Sequence, residues 1–143
     1  MPERITAGPV SIPRIDGWDD RTMLTMVGPN TEGAQPNVVV TREALCDNLG
    51  LGGFSTGWVQ KLADQVPVRE TRDVEHIEIA GSPAHLRLVE WEAAGLRLRQ
   101  LVGLTTIDGD GYAIVCTVPS VQFDELEPQL RAVIEGTQIG RAG

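Results

Sequence analysis

The chain has 143 residues, 41% hydrophobic, 22% charged and 4% aromatic, a composition that fits one folded domain and argues against a disordered tail. Lys+Arg 12 against Asp+Glu 20 leave a net charge of −8, which argues against nucleic acid and against anchoring on anionic membranes. No apolar run approaches the ~20 residues of a membrane helix, and the opening Met1-Pro2-Glu3-Arg4 lacks the basic-then-apolar order of a secretory signal, so the expectation is a cytoplasmic protein.

Residues 1–8 are polar and aperiodic and are expected to be flexible. Pro9-Val10-Ser11-Ile12-Pro13 reads as a short edge strand flanked by prolines. Arg21 to Val27 alternates weakly and reads as a strand, followed by a breaker cluster from Gly28 to Gly33. Pro36 to Arg42 is β-branched and predicts a strand buried over much of its length. Cys46 to Gly53 carries Gly50, Gly52 and Gly53 and predicts a loop leading into a helix. In that helix, Phe54, Trp58, Val59, Leu62 and Val66 share one face, and Pro67 ends it.

Beyond Pro67 the hydrophobic period becomes two. Glu70–Ile79, Pro83–Ala93, Leu96–Ile107 and Tyr112–Val118 read as four strands of a meander, with turns at Gly81-Ser82, Ala94-Gly95 and Asp108-Gly109-Asp110-Gly111. After Pro119-Ser120 a closing helix places Leu126, Leu130, Val133 and Ile134 on its buried stripe. Asp124, Glu125 and Glu127 suit its N-terminal dipole, and Pro128 predicts a short preliminary turn before the main helix. The fold class is α+β: an antiparallel sheet meander with two main helices packed on it. One domain is expected over residues 9–137, with residues 138–143 flexible.

Two-residue turns that set Ala93 opposite Leu96 and Asp108 opposite Gly111 divide the meander into two faces. One collects Val89, Trp91, Leu98, Val102, Leu104, Ala113 and Val115. The other collects Leu86, Leu88, Leu101, Ile107, Ile114, Cys116 and Val118, with Glu90 opposite Arg99 and Glu92 opposite Arg97. Both faces are apolar, so either the helices divide between them or part of one is kept for a partner.

Familiar chemical motifs fail on spacing. Asp108-Gly109-Asp110-Gly111 starts like a calcium loop, yet Pro119 stands where the twelfth-position glutamate belongs, so it reads as a hairpin turn. Gly50-Leu51-Gly52-Gly53 lacks the third glycine of a dinucleotide fingerprint. The only lysine, Lys61, follows Gln60 and makes no phosphate-binding loop. His76 and His85 have no metal-ligand companion at helical spacing and read as strand histidines. Cys46 and Cys116 are too few for a disulfide framework or zinc cage and read as buried thiols. Trp18, Trp58 and Trp91 read as core anchors, with an exposed Trp91 suited to an apolar partner. No cofactor, metal or catalytic residue is expected.

In order, Val10-Ser11-Ile12-Pro13, Gly17-Trp18-Asp19-Asp20-Arg21-Thr22, Asn37 to Arg42, the Trp58 helix, Ile79 to Ala84, Leu98 to Val102 and the Phe123 helix resemble the DcrB-like domain family. The resemblance spans about Ser11 to Gly136. Its signature turns are met by Trp18, Asp20, Arg21 and Thr22, and by Gly81, Pro83 and Ala84. It implies a PsbP-like α/β/α sandwich. Family members include cytoplasmic effector-associated chaperones of type VI secretion, dimers that shield the apolar N-terminal segment of a secreted effector on a concave sheet, and envelope lipoproteins of poorly defined role; the resemblance implies a role like the first group's, because the signal and lipidation cysteine of the second are not seen here. Partner contacts are then expected from Val89, Trp91, Leu98, Val102 and Leu104, or else from the Leu86, Leu88, Leu101 and Ile114 face. A small-molecule or lipid-binding module of the same fold is the alternative, and it predicts an enclosed apolar cavity.

Overall fold

Three tight turns set the strand register. The computed structural model describes residues 4–7, 9–13, 15–16, 24–29, 35–45 and 49–140. In chain order these form β1 (Arg4–Ala7), β2 (Val10–Pro13), β3 (Leu24–Val27), β4 (Asn37–Ala44), α1 (Leu51–Ala63), β5 (Arg69–Glu70), β6 (Glu75–Ile79), β7 (Ser82–Ala93), β8 (Leu96–Ile107), β9 (Asp110–Pro119) and α2 (Ser120–Glu135). Ala80-Gly81, Ala94-Gly95 and Asp108-Gly109 each carry two successive positive φ angles. That is the backbone of type I′ turns, whose twist matches the strands they join. They place Ile79 opposite Ser82, Ala93 opposite Leu96 and Ile107 opposite Asp110.

The main sheet runs β3-β4-β9-β8-β7, with β5 and β6 sharing the outer edge of β7, while β1 and β2 form a separate hairpin. All pairings are antiparallel. Side chains alternate between faces, and each helix takes one. On the α2 face, Ile79, Leu88, Leu101, Ile114, Cys116 and Val118 pack with Phe123, Leu130 and Ile134 of the helix. On the α1 face, Val102, Leu104 and Ala113 pack with Phe54.

Glycines open the sheet where the helices approach it. A Cβ on Gly103 would lie 2.4 Å from Ile134 Cγ2 of α2, and one on Gly111 would lie 2.6 Å from the Phe54 ring of α1. Side chains at these positions would hold both helices off.

Several expectations need correction. Residues 4–7 are a strand, paired with β2. Gly52 and Gly53 lie inside α1, whose N-cap is Gly50. The stretch 70–79 divides into β5 and β6. The last hairpin turns one residue earlier than supposed: Asp108-Gly109 forms the turn and the register moves by two, which leaves every side chain on its expected face. The first hairpin turns at Ala80-Gly81, one residue earlier than expected. The closing helix is continuous from Ser120 and keeps Pro128 in its interior, with no acidic residue in its first turn. Burial of Phe123, Leu130 and Ile134 outweighs the backbone bond that the proline removes. Ile139, placed in the flexible tail, packs against the α2 core. The Trp18 turn and Cys46 lie outside the described residues.

Candidate functional site

A wide concave surface arises where the sheet extends past its helix. In β4, Val38 pairs with Cys116 and Val40 with Ile114 of β9, which puts both on the α2 face. The β3 hairpin partners, Met26 opposite Val38 and Leu24 opposite Val40, continue that face outward. The helix lies chiefly over β8, β9 and β6, so among the described residues its cover at the β3–β4 end stops at Val38 and Val40 of β4.

The result is a groove of about 810 Å³ between the β3–β4 hairpin and the flank of α2. Met26, Val27 and Val38 form one wall; Val121, Leu126, Leu130 and Val133 form the other. The α2 residues of this wall run from Val121 to Val133, a length of about 18 Å at helical rise. Val121 is 80% exposed, Leu24 71% and Met26 55%, which is unusual company for so small a domain. The polar lining is Asn37, Gln122, Glu125 and Gln129, with no basic side chain among the described residues. Among the described residues, the outer backbone edge of β3 ends the sheet.

The partner residues expected from sequence are only partly available. Val89, Val102 and Leu104 are fully buried, the last two beneath Phe54 of α1. They therefore offer a partner no surface, which corrects that expectation. Trp91 and Leu98 face each other across β7 and β8 and are half-buried. The alternative face fares no better, because Leu86, Leu88, Leu101 and Ile114 lie in the core with α2. Trp58 is half-buried against the α1 cluster.

An ionic network ties α2 to the sheet beside this core. Glu90, 4% exposed, accepts hydrogen bonds from Arg99 Nε at 2.7 Å and Arg69 Nη2 at 3.0 Å. Arg72 holds Glu127 of α2 with both of its terminal nitrogens, at 2.5 and 3.0 Å. Arg131 of α2 reaches Glu75 of β6. The guanidinium carbons of Arg72 and Arg99 lie 5.5 and 5.3 Å from the centre of the Phe123 ring, within cation–π range. On the opposite face, Arg87 joins Ser55 of α1 at 2.7 Å and pairs with Glu70 of β5.

These contacts predict an acid-labile fold. Hydrogen bonds from Arg99 and then Arg69 hold the Glu90 carboxyl below its ordinary 4.5, and the Arg72 hydrogen bond does the same for Glu127. Burial, then the charges of His76 and Arg87, lower His85 below 6.5. All three groups bind protons more readily in the unfolded chain, so each stabilises the fold at high pH. Stability should first fall as pH drops through the range below 6.5, and further below 4.5, as these pairs are protonated. Urea midpoints across that range check it, and Glu90→Gln should flatten the lower step. A pH-independent midpoint would contradict it.

Burial pushes the Cys116 thiol up to about 12, so it is no thiolate nucleophile. Cys116 lies on the α2 face and His85 on the α1 face, so the sheet separates them. His76 and His85 are instead direct partners across β6 and β7.

A family model described as DcrB matches residues 8–136. The chain belongs to the DcrB family. No curated protein matches it. Among solved structures it is similar to PA94 from Pseudomonas aeruginosa, a protein of unknown function described as a candidate regulator. That likeness has a TM-score of 0.77 at 16% identity and covers 99% of this chain and 98% of that one. The solution structure of CyanoP, the PsbP of Synechocystis sp. PCC 6803, aligns at TM-score 0.55 and 11% identity, over 86% and 82% of the two chains. LpqN of Mycobacterium tuberculosis, described as involved in cell envelope biogenesis, aligns at 0.54 and 11%, over 85% of each. The fold is thus PsbP-like: two helices on an antiparallel sheet.

The groove residues Met26, Val38, Leu126 and Val133 were not singled out as a site from sequence. Their signal was present in one respect only: Val121 adds an apolar residue to the closing helix outside its buried stripe.

Proposed function

We propose that this DcrB-family protein is a non-enzymatic cytoplasmic adaptor or chaperone that holds an apolar segment of a secreted effector in the groove between α2 and β3–β4. The observation that carries this reading is the groove itself, open along about three turns of α2 and lined by exposed Met26, Val27 and Val121. An open trough suits a helix or strand of another chain, which buries its apolar side along the length and leaves polar groups at the rim. The alternative small-molecule or lipid module draws on the same volume, which is in the range of ligand pockets. An anionic lipid headgroup would find no basic partner among the described residues of this lining.

The test is capture from the native host at low salt. The expected companion is a protein with a continuous apolar segment whose deletion abolishes capture. Met26→Asp combined with Val121→Asp places carboxylates in the trough at two exposed positions, so folding should be kept while capture falls at least about tenfold. Unchanged capture by that variant would refute the groove. A protein that instead carries a small apolar ligand and no companion would favour the alternative. A companion from the envelope would move the compartment and leave the binding mode intact.

A further inference from the structure

The Ala80-Gly81 turn closes β6 onto β7 so that His76 stands directly opposite His85. Their rings meet edge to face with centroids 4.9 Å apart. Nδ1 of His85 is buried and has no hydrogen-bond partner among the described residues. A buried nitrogen without a partner is costly unless a ligand completes it. A neutral imidazole offers a lone pair to a metal.

The spacing fits a shared cation. A first-row metal sits about 2.0–2.1 Å from each imidazole nitrogen, hence roughly 3.2 Å from each ring centre, and two such arms at about 90–110° hold the ring centres about 4.5–5.2 Å apart. The observed 4.9 Å lies inside that interval. His76 is exposed on the β6 side, which gives a cation access from solvent. Glu78, also exposed, follows on the same face of that strand. The nearby Arg87 guanidinium is engaged by Glu70 and Ser55, which offsets its repulsion.

We propose that His76 and His85 form a two-histidine site for a divalent transition cation, zinc, nickel or copper, with water in the remaining positions. This site lies on the α1 face, away from the α2 groove, and is independent of the function proposed above. By linking β6 to β7 the cation would stabilise the edge of the sheet.

Zinc chloride alone, titrated calorimetrically into the full chain freed of any affinity tag, should bind saturably at one site and raise Tm. His76→Ala changes an exposed side chain, so the fold should survive. It should weaken zinc binding at least about tenfold and abolish the Tm shift. His85→Ala should do the same, and if that variant fails to fold, His76→Ala alone decides. In NMR spectra the ring protons of both histidines should move together as zinc is added. Absence of saturable binding by zinc, nickel and copper would overturn the proposal, and so would wild-type affinity in the folded His76→Ala protein.

Discussion

Replacing Phe123 with alanine is expected to destabilise the fold by about 3–5 kcal/mol. Phe123 is fully buried and is the largest such side chain among the described residues. It seats the first turn of α2 on the sheet between Arg72 and Arg99. Truncation leaves a cavity in the α2 core and removes the ring from both cations. The loss is a large share of the ~5–15 kcal/mol that holds a typical domain together. Urea denaturation measures it. Val121→Ala, two residues earlier and on the other side of the same helix, where the side chain is 80% exposed, should shift stability by no more than about 0.5 kcal/mol. Equal losses from the two substitutions would show that α2 does not dock as described.

The second large effect comes from adding atoms. Gly103→Val should cost about 1–3 kcal/mol or more, because an over-filled core cannot relax without moving a helix. Its Cβ would stand 2.4 Å from Ile134 Cγ2 and 3.0 Å from Ile79 Cδ1, and both neighbours are fully buried. Ile134→Ala removes the first clash at its own cost. The double variant should therefore be less unstable than the sum of the two singles, by about 0.5–3 kcal/mol of coupling. Strict additivity would mean that the two residues do not meet.

Local signals in the chain were enough for the meander, for the Ala94-Gly95 turn and for the division of apolar residues between faces, while the other two turns were each placed one residue late. Asp108-Gly109 and Ala94-Gly95 are residues that tolerate the positive φ of type I′ turns. The Glu90–Arg99 pairing followed from the same register and is seen as a hydrogen-bonded pair. The long-range pairing was not legible. Nothing near Asn37–Ala44 states that it will pair with β9, and that pairing creates the groove wall. Burial of Val102 and Leu104 likewise depends on where α1 lands, which Gly111 decides by admitting the Phe54 ring. The His76–His85 pair was within reach, since a turn at Ala80-Gly81 fixes it. A turn placed one residue later hides it.

The groove has a direct chemical test once a protein companion is in hand. A photo-reactive benzophenone side chain installed at Val121 lies on the α2 wall of the trough, whereas one at Leu98 lies on the α1 face beside Trp91. Irradiation of the complex should join the companion's apolar segment to position 121 and leave position 98 without adduct. Adducts at position 98 with none at position 121 would place the companion on the half-buried Trp91–Leu98 strip and contradict the groove.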